Sequence, residues 1–381
     1  MRRPDTVLRI FHVVESLDRG AVENWLVDVF IESRKTNPDW QWTFYCMIGS
    51  PGRLDERVIS NGGNILRSPV SISNKAAFLW HLRKAFTRQR YDILHVHHDF
   101  LSGFYLLAAA GIHFRKRILH VHNNDRILPV GSRILEKILL PIFRWISLKA
   151  VDKVLAISEH TLDDYRGSYR SGRPAFDVLY YGIGMDRFDK PVDSRMVRSG
   201  LGIPEGAFML LYVGRMNRDK NPIFNLEILS CLLKRGSDVY LVLVGKGEKE
   251  KEILSRAEEL RLTGRIRFLG WSDKVVEFMK SADAFVFPRL ELPREGLGLV
   301  VVEAQCAGLP IFMTSGIVDD AVVLPELAHW NRPTDPDAWA VAIEDVLSAE
   351  PAMARTEALV RMQSSRFALP IATRNLLAQY A

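Results

Sequence analysis

The sequence predicts an α/β protein of two Rossmann-like domains, each a doubly wound parallel sheet, that face each other across a cleft. Three observations predict it. Short apolar segments alternate with amphipathic ones, the alternation restarts after a loop-like passage at 182–204, and 381 residues are too many for one ordinary core. Apolar strands that alternate with helices indicate parallel sheets covered on both faces.

The first half of the chain alternates between strand and helix segments. Short apolar runs predict strands at 8–14, 42–47, 93–96, 118–121, 153–157 and 178–180. Amphipathic stretches between them predict helices near 22–34, 75–90, 101–110 and 133–148. We therefore expect residues 1–190 to form an N-terminal Rossmann-like domain.

The second half repeats this alternation. Its predicted strands are 208–213, 239–244, 266–268, 284–287 and 310–313, and its predicted helices lie near 222–234, 248–260, 274–279 and 299–307. We expect residues 191–365 to form a C-terminal Rossmann-like domain and a helix near 366–381 to pack back on the N-terminal one. Ligands of such sheets bind at the carboxyl ends of the strands, so binding residues are expected in the loops that follow them.

Composition and charge limit the functional classes to which this chain can belong. The net charge of +6 divides into +8 through Lys190 and −2 after it. A basic half suits an anionic membrane surface or nucleic acid. We find none of the interleaved aromatic and basic residues of nucleic-acid modules, so we expect no nucleic-acid partner. The three cysteines are far apart in apolar runs, which indicates buried thiols rather than disulfides or a metal site.

The sequence predicts a cytoplasmic protein. Met1–Asp5 is polar and unlike a signal peptide, and the apolar segment 134–151 is interrupted by four charged residues, so we expect it not to span a bilayer. One hypothesis is that the basic Arg115–Arg117 and the amphipathic segment 132–149 dock on the inner face of the cell membrane. Its alternative is that this helix packs inside the domain through Ile134, Leu135, Ile138 and Ile142. Both can hold together.

The strongest functional motif is a pair of glutamates, Glu295 and Glu303, around a glycine-rich turn. We place Glu295 in a loop and begin a helix near Gly298. The amides of 296–299 then form a positive helix N-terminus that suits a diphosphate or sugar hydroxyls. Two ordinary surface glutamates are the alternative, but Glu303 lies in the apolar run VVVEAQCAGLP, where a carboxylate needs a partner.

A basic loop follows the strand at 208–213. Gly214 allows a tight turn, and Arg215 and Lys220 can converge on one anion, where a planar guanidinium and a compact ammonium would neutralise a leaving diphosphate. An ordinary solvated basic loop is the alternative. Gly245 follows the next strand, and a glycine there admits a ligand close to the backbone, although this motif is weak by itself.

Together these motifs resemble the retaining GT-B glycosyltransferases of family 4, and are most similar to capsular and exopolysaccharide enzymes of the EpsF kind. The resemblance extends over essentially the whole chain. In the first half, DRGAVENW resembles the glycine loop of that family, YDILHVHH and ILHVHNN its paired histidine strands, and AISEHT its Ser-Glu turn.

The resemblance implies a role for each matching residue. Arg215 and Lys220 would bind the donor diphosphate, with Gly214 at the turn. Gly20 would bring the first loop to the phosphate, and the backbone near Leu269 would border the base. The other implied donor-binding residues are Gly245, Glu303 at the ribose hydroxyls, Glu295 at the donor sugar, the amides of Gly296, Leu297 and Gly298, and either His120 or His122 at the sugar.

Three departures from the family pattern bear on these assignments. Ala21 stands where the second glycine of the first loop is usual, which crowds the phosphate loop slightly. The segment Tyr181–Gly184 lacks the asparagine of the interdomain motif, so we assign it no site residue. Pro293 and Arg294 precede Glu295 where small or aromatic residues are common, which affects sugar preference.

The remaining candidates for metal binding have structural interpretations. His95, His97 and His98 lie at one strand end without the spacing typical of a metal site. Asp335 and Asp337 resemble an Asp-x-Asp metal motif only by letter and are interpreted as a helix N-cap and a first-turn acid. We therefore predict no metal and no cofactor.

The sequence predicts a retaining, metal-independent glycosyltransferase with catalytic roles for Glu295, Arg215, Lys220, His120 and His122. It would move a sugar from a nucleotide-diphosphate sugar, with UDP as the expected nucleotide, to a glycan or lipid-linked acceptor in polysaccharide, capsule or O-antigen biosynthesis. The alternatives are a sugar-nucleotide epimerase of the same fold and a non-catalytic, membrane-associated protein that binds nucleotide sugars. Release of free nucleotide without an acceptor would indicate the first, and binding without transfer the second.

Overall fold

A computed structural model describes residues 7–18, 20–123, 134–169 and 172–381, with backbone alone for 134–137. The chain divides into two compact domains, Met1–Gly184 with Arg366–Ala381, and Met185–Ser365. The predicted boundary lay after Lys190.

The N-terminal domain contains a parallel sheet of seven strands in the order β3-β2-β1-β4-β5-β6-β7. The strands are β1 (Arg9–Val14), β2 (Gln41–Cys46), β3 (Asn64–Arg67), β4 (Ile93–Val96), β5 (Lys116–Val121), β6 (Lys153–Ala156) and β7 (Ala175–Val178). The helices are α1 (Ala21–Ser33), α2 (Asp55–Ser60), α3 (Lys75–Phe86), α4 (Ser102–Ala108), α5 (Ile134–Ala150) and α6 (Glu159–Arg166). The order reverses between β1 and β4, which is where such sheets bind ligands.

The C-terminal domain contains a parallel sheet of six strands in the order β10-β9-β8-β11-β12-β13. The strands are β8 (Phe208–Val213), β9 (Val239–Val244), β10 (Ile266–Gly270), β11 (Ala284–Phe287), β12 (Ile311–Met313) and β13 (Ala328–Trp330). The helices are α7 (Asp186–Asp189), α8 (Ser194–Gly200), α9 (Phe224–Lys234), α10 (Glu250–Glu259), α11 (Val275–Ser281), α12 (Leu299–Cys306), α13 (Pro336–Ser348) and α14 (Arg355–Gln363).

The chain ends with α15 (Leu369–Tyr380), which belongs to the N-terminal domain and packs against α1. The hydroxyl of its last residue, Tyr380, is 2.7 Å from Nδ1 of His95. A backbone hydrogen bond from Ile183 to Phe367 precedes the helix. The C-terminal segment thus completes the N-terminal domain.

Helix caps and apolar faces explain why these segments fold as they do. Asp335 accepts a hydrogen bond from Ala338 N at 3.1 Å, which confirms the predicted N-cap of α13. Ser158 caps α6 in the same way through Thr161 N, although that helix was not predicted. The short strands β3 and β13 were not predicted either, because segments of three or four mixed polar and apolar residues show no clear hydrophobic alternation.

No helix among the described residues is long and apolar enough to cross a membrane. The alternative that α5 buries Ile138 and Ile142 is wrong, since 56% and 45% of their surfaces are exposed, together with 60% of Trp145. Ile134 and Leu135 have side chains outside the described part of the structure. The inner face of α5 packs on α4 instead, through Phe143 against Phe104.

Candidate functional site

The basic loop after β8 is held by hydrogen bonds to the segment after β11. Lys220 N donates to Asn217 Oδ1 at 3.1 Å, and Leu290 N donates to the Asp219 carbonyl at 2.9 Å. Asn221 adopts a positive φ of 50° and donates from Nδ2 to the Pro288 carbonyl at 3.1 Å. The loop is therefore bonded to the neighbouring strand end rather than solvated along its length.

This bonding brings Lys220 and Arg289 to one carboxylate, that of Glu295. Lys220 forms an ion pair with Glu295, and Arg289 Nε lies 2.9 Å from Glu295 Oε2. The three side chains are 12%, 5% and 20% exposed. Arg215 is exposed, yet its charge acts on both Lys220 and Glu295. Lys220, Arg289 and the nearby Arg215 outnumber the carboxylates of Glu295 and Asp219, which leaves an excess of positive charge.

The electrostatics of this cluster follow from burial and mutual attraction. Burial acts to raise the pKa of Glu295, but Lys220 and Arg289 outweigh it and hold that pKa below its usual value. Burial lowers the pKa of Lys220 despite the attraction of Glu295, and it also lowers the pKa of Arg289. A phosphate bound here would contact cations whose positive charge is only partly balanced by carboxylates.

Arg289 was missed by the sequence analysis. It follows β11 by two residues and donates from Nη1 to the Asp219 carbonyl at 3.2 Å, so it also supports the basic loop. The signal that pointed to the site, a polar residue directly after an apolar strand, applies equally to Arg289. It went unnoticed because Glu295 and Glu303 dominate the same motif.

Close backbone approach explains the glycines at the neighbouring strand ends. Gly245 has a φ of +135°, and a Cβ there would lie 1.9 Å from the Gly214 carbonyl oxygen. Gly214 N donates to the Val244 carbonyl at 3.0 Å, and Gly245 N to the Gly270 carbonyl at 2.7 Å. The ends of β8, β9 and β10 are thus in contact, and the half-buried Leu269 lies in β10 beside them.

The glycine-rich turn leads into α12 where the sequence predicted it. Gly298 precedes the first helical residue, Leu299, and has a φ of +84°, which favours glycine. Glu295 lies before the helix and donates from its backbone N–H to the Gly316 carbonyl at 2.8 Å. Leu297 is buried, and Gly296 lies between it and Glu295. The placement of Glu295 in the loop and the start of the helix are confirmed.

Glu303 has the partner that its apolar surroundings require. It forms an ion pair with Arg187, which comes from α7, far away in the sequence. The side chain of Glu303 is 22% exposed and therefore half-buried. Sequence reasoning predicted the need for a partner but could not name Arg187.

Five histidines come together in the N-terminal domain, from three different strands. They are His12 in β1, His95 in β4, His97 just after it, His120 in β5 and His122 just after that. All are buried, and burial lowers the pKa of each, so the rings are neutral at pH 7. This convergence was not foreseen, because the spacing within each strand does not show which strands are neighbours.

The first loop lies beside this cluster. Gly20 caps α1, and its carbonyl accepts from Asn24 Nδ2 at 2.8 Å. Trp25, one turn further along, lies edge-on to His120 with ring centroids 5.2 Å apart and stacks on Tyr181 at 4.6 Å. Gly20, His120 and His122 therefore belong to the N-terminal domain, and the cationic cluster belongs to the C-terminal one.

Two further predicted features are the basic residues Arg115–Arg117 and the acidic residue Asp337, and the structure shows the contacts of both. Arg115, Lys116 and Arg117 donate to backbone carbonyls of their own domain, those of Tyr380, Gln379 and Ile112. Asp337 lies in the first turn of α13, 3.8 Å from Arg235. The described residues bring no cluster of three metal-binding groups together in the C-terminal domain.

Comparison with known families assigns both domains. The family described as Glycosyl transferases group 1 matches residues 193–361, and Glycosyltransferase Family 4 matches residues 38–187. EpsF of Bacillus subtilis, named as a glycosyltransferase, is 28% identical over 82% of this chain and 80% of its own length. The Escherichia coli UDP-Gal:alpha-D-GlcNAc-diphosphoundecaprenol alpha-1,3-galactosyltransferase is 26% identical over 65% of this chain and 63% of its own length.

A solved structure shares the fold of both domains. Anabaena Alr3699/HepE, crystallised in complex with UDP, matches with a TM-score of 0.78 and 17% identity over 98% of this chain and 99% of its own. The topology, the strand-end motifs and the two family matches agree, and this chain therefore belongs to the family-4 glycosyltransferases of GT-B fold, of the exopolysaccharide and capsule type.

Proposed function

We propose that this glycosyltransferase uses a nucleotide-diphosphate sugar, with UDP as the nucleotide, and transfers its sugar with retention of configuration. The observation that carries the proposal is the convergence of Arg215, Lys220 and Arg289 around one carboxylate. A diphosphate supplies the negative charge that this cluster lacks. The UDP complex of HepE supports the choice of nucleotide.

Each residue of the C-terminal cluster has a distinct role in the proposal. Lys220 and Arg215 bind the diphosphate, and buried Arg289 holds Glu295 and the loop in position. Glu295 contacts the donor sugar, while Glu303 binds the ribose hydroxyls beside Arg187. The turn Gly296–Gly298 offers backbone amides to the sugar and phosphate. Gly214, Gly245 and Leu269 border the nucleotide.

The proposed reaction is a displacement on one face of the sugar. The bond from the anomeric carbon to the diphosphate oxygen breaks, and a bond from the acceptor oxygen forms on the same side. The acceptor hydroxyl gives its proton to an oxygen of the departing diphosphate. Preorganised cations stabilise the negative charge that develops there, and such groups account for large rate effects.

Because two protein cations, Arg215 and Lys220, bind the diphosphate, we propose that transfer needs no divalent metal. The N-terminal histidines His120 and His122 remain candidates for contact with the donor sugar, with Gly20 near the phosphate. The acceptor is proposed to be a glycan or lipid-linked saccharide in polysaccharide, capsule or O-antigen biosynthesis. The name of the Escherichia coli relative, which includes a diphosphoundecaprenol-linked saccharide, supports a lipid-linked acceptor.

We also propose a cytoplasmic protein that contacts the inner face of the cell membrane through α5. Ile138, Ile142 and Trp145 form an exposed apolar stripe at helical spacing, and exposed Lys149 continues it. Arg115–Arg117 remain part of this proposal, because their hydrogen bonds to backbone carbonyls leave their positive charges in place.

The test begins with binding and ends with the product. Calorimetry against a panel of nucleotides and nucleotide sugars should single out UDP and one UDP-sugar. With that donor and a lipid-linked acceptor, NMR of the product should show the anomeric configuration of the donor, and saturating EDTA should leave transfer unchanged. An inverted product, or transfer that stops with EDTA and returns with magnesium, contradicts the proposal. Release of UDP without transfer would favour an epimerase.

A further inference from the structure

The buried histidine cluster of the N-terminal domain is unusual in its hydrogen bonding. Nδ1 of His12 lies 3.0 Å from Nε2 of His97, and Nδ1 of His97 lies 3.0 Å from Nε2 of His122. Nδ1 of His122 is bonded to the Tyr181 hydroxyl. Among the described residues, neither ring nitrogen of His120 has a partner. Burying a polar atom without a hydrogen-bond partner costs free energy, and a ligand bound to these nitrogens would remove that cost.

Ring nitrogens of His97, His120 and His122 lie close enough together to bind one metal ion. One ring nitrogen from each of His97, His120 and His122 lies within 4.8 Å of the other two. Two nitrogens on one tetrahedral Zn²⁺, each bound at about 2.0–2.1 Å, are separated by roughly 3.3 Å. The 3.0 Å between His97 and His122 is therefore close to the spacing of two ligands on one ion.

The groups that contact the second ring nitrogens of these histidines also fit a metal site. Histidine ligands usually have their second nitrogen held by a neighbouring group. Tyr181 holds that of His122, and His12 holds that of His97.

A second set of three, His12, His95 and His97, shares His97 with the first. His97 belongs to both sets and is 5% exposed. Of the other members only His122, which follows β5, keeps any exposure, at 4%. The first set is thus the one that an ion can reach from the strand ends.

We propose that His97, His120 and His122 bind one divalent transition-metal ion of the Zn²⁺ class, with a fourth position for water. Imidazole ligands favour zinc, copper, nickel and iron over magnesium or calcium. Because His120 and His122 are also candidates for donor-sugar contact, the bound ion is expected to lower transfer. The site thus differs from the metal-independent diphosphate cluster of the C-terminal domain.

The test uses the full chain without a histidine tag, stripped by a chelator. Titration with Zn²⁺ against a chromophoric chelator should show one tight equivalent, and Co²⁺ should give the visible absorption of a tetrahedral ion. X-ray absorption of the Zn²⁺-loaded wild-type protein should show three imidazole ligands. Absence of a stoichiometric equivalent, or a spectrum without imidazole, overturns the proposal without any variant.

Variants locate the ion. His97→Gln and His122→Gln should each weaken Zn²⁺ binding by more than the roughly 10–100-fold that loss of an outer partner causes. The exposed His113→Gln is the matched control and should bind as wild type does. His12→Gln, which removes the outer partner of His97, should keep the site but weaken binding by no more than roughly 100-fold. If His12→Gln loses the ion and His122→Gln retains it, the second set is the site and our assignment is wrong. Thermal melting with and without Zn²⁺ shows that each variant is folded.

Discussion

The two domains have the same kind of parallel sheet, but their central strand ends carry opposite kinds of chemistry. In the C-terminal domain, β8 and β11 lead to Arg215, Lys220 and Arg289, whose charges are kept by the carboxylate of Glu295. In the N-terminal domain, β1, β4 and β5 carry buried histidines that are neutral. The comparison shows that one topology determines where functional residues meet, and burial with local partners determines their charge.

This difference predicts that the two domains lose stability at different pH values when the solution is acidified. Each buried histidine has a folded-state pKa below the usual value near 6.5, and that of His12 is lowered to about 3. The unfolded chain therefore binds more protons between these values, so stability is full above pH 6.5 and falls as the pH drops below it. By contrast, the lowered pKa of Glu295 contributes stability above the usual glutamate pKa of about 4.3, which is lost only below that pH.

The largest expected effect is thus acid destabilisation of the N-terminal domain. Between pH 7.5 and 5.5 the free energy of unfolding should fall by several kcal/mol, at up to about 1.4 kcal/mol per pH unit for each histidine below pH 6.5. Urea unfolding at each pH measures this. His120→Leu, which removes a ring without hydrogen-bond partners among the described residues, should reduce the number of protons bound on unfolding by about one. A flat profile would show that the cluster is not neutral by burial.

The second prediction removes a cation from the charged cluster. Lys220→Ala should lower turnover by roughly 10²-fold or more, about 3 kcal/mol, because the departing diphosphate loses a preorganised positive group. Steady-state transfer assays measure this once the donor is known. Arg218→Ala, an exposed cation of the same loop, is the control and should behave as wild type does. Near-normal transfer by folded Lys220→Ala would remove that residue from the site.

A third prediction tests the backbone contact on which the cluster rests. Gly245→Ala places a Cβ 1.9 Å from the Gly214 carbonyl oxygen at a φ of +135°, so the ends of β8 and β9 must move apart. We expect a loss of about 1–3 kcal/mol or more in the free energy of unfolding. Gly206→Ala has a positive φ but open space, so it reports the backbone strain alone. Equal losses in both variants would show that the close approach is not required.

The smallest expected effect concerns the exposed stripe of α5. Trp145→Glu should weaken flotation with anionic vesicles by roughly tenfold, about 1.4 kcal/mol, because it replaces an apolar contact by a repelled charge. Trp80→Glu, at an equally exposed tryptophan on α3, is the control and should float as wild type does. Equal flotation of all three proteins, or equal binding to neutral and anionic vesicles, would contradict membrane docking through α5.

Much of the charged cluster was predictable because its residues lie close together in the sequence. Arg215 and Lys220 share one loop, and Glu295 and Gly298 share one turn, so each pair is brought to the strand ends by local structure. Arg289 follows a strand end and was predictable by the same signal, although it was not predicted. Arg187 was not predictable, since nothing local marks it as the partner of Glu303, 116 residues away. The contacts of Arg115–Arg117 with backbone carbonyls of the same domain were not predictable either, because their partners at the C-terminus are distant in the sequence.

By itself, the sequence determined the alternation of strands and helices, two Rossmann-like domains, the start of α12 and the loops that carry the glycosyltransferase motifs. These depend on local periodicity, capping and turn chemistry, which act over a few residues. Only the tertiary structure decided that His12, His95, His97, His120 and His122 form one buried cluster and that Glu303 pairs with Arg187. Strand order and packing bring such residues together from distant parts of the chain, and burial then sets which of them are charged.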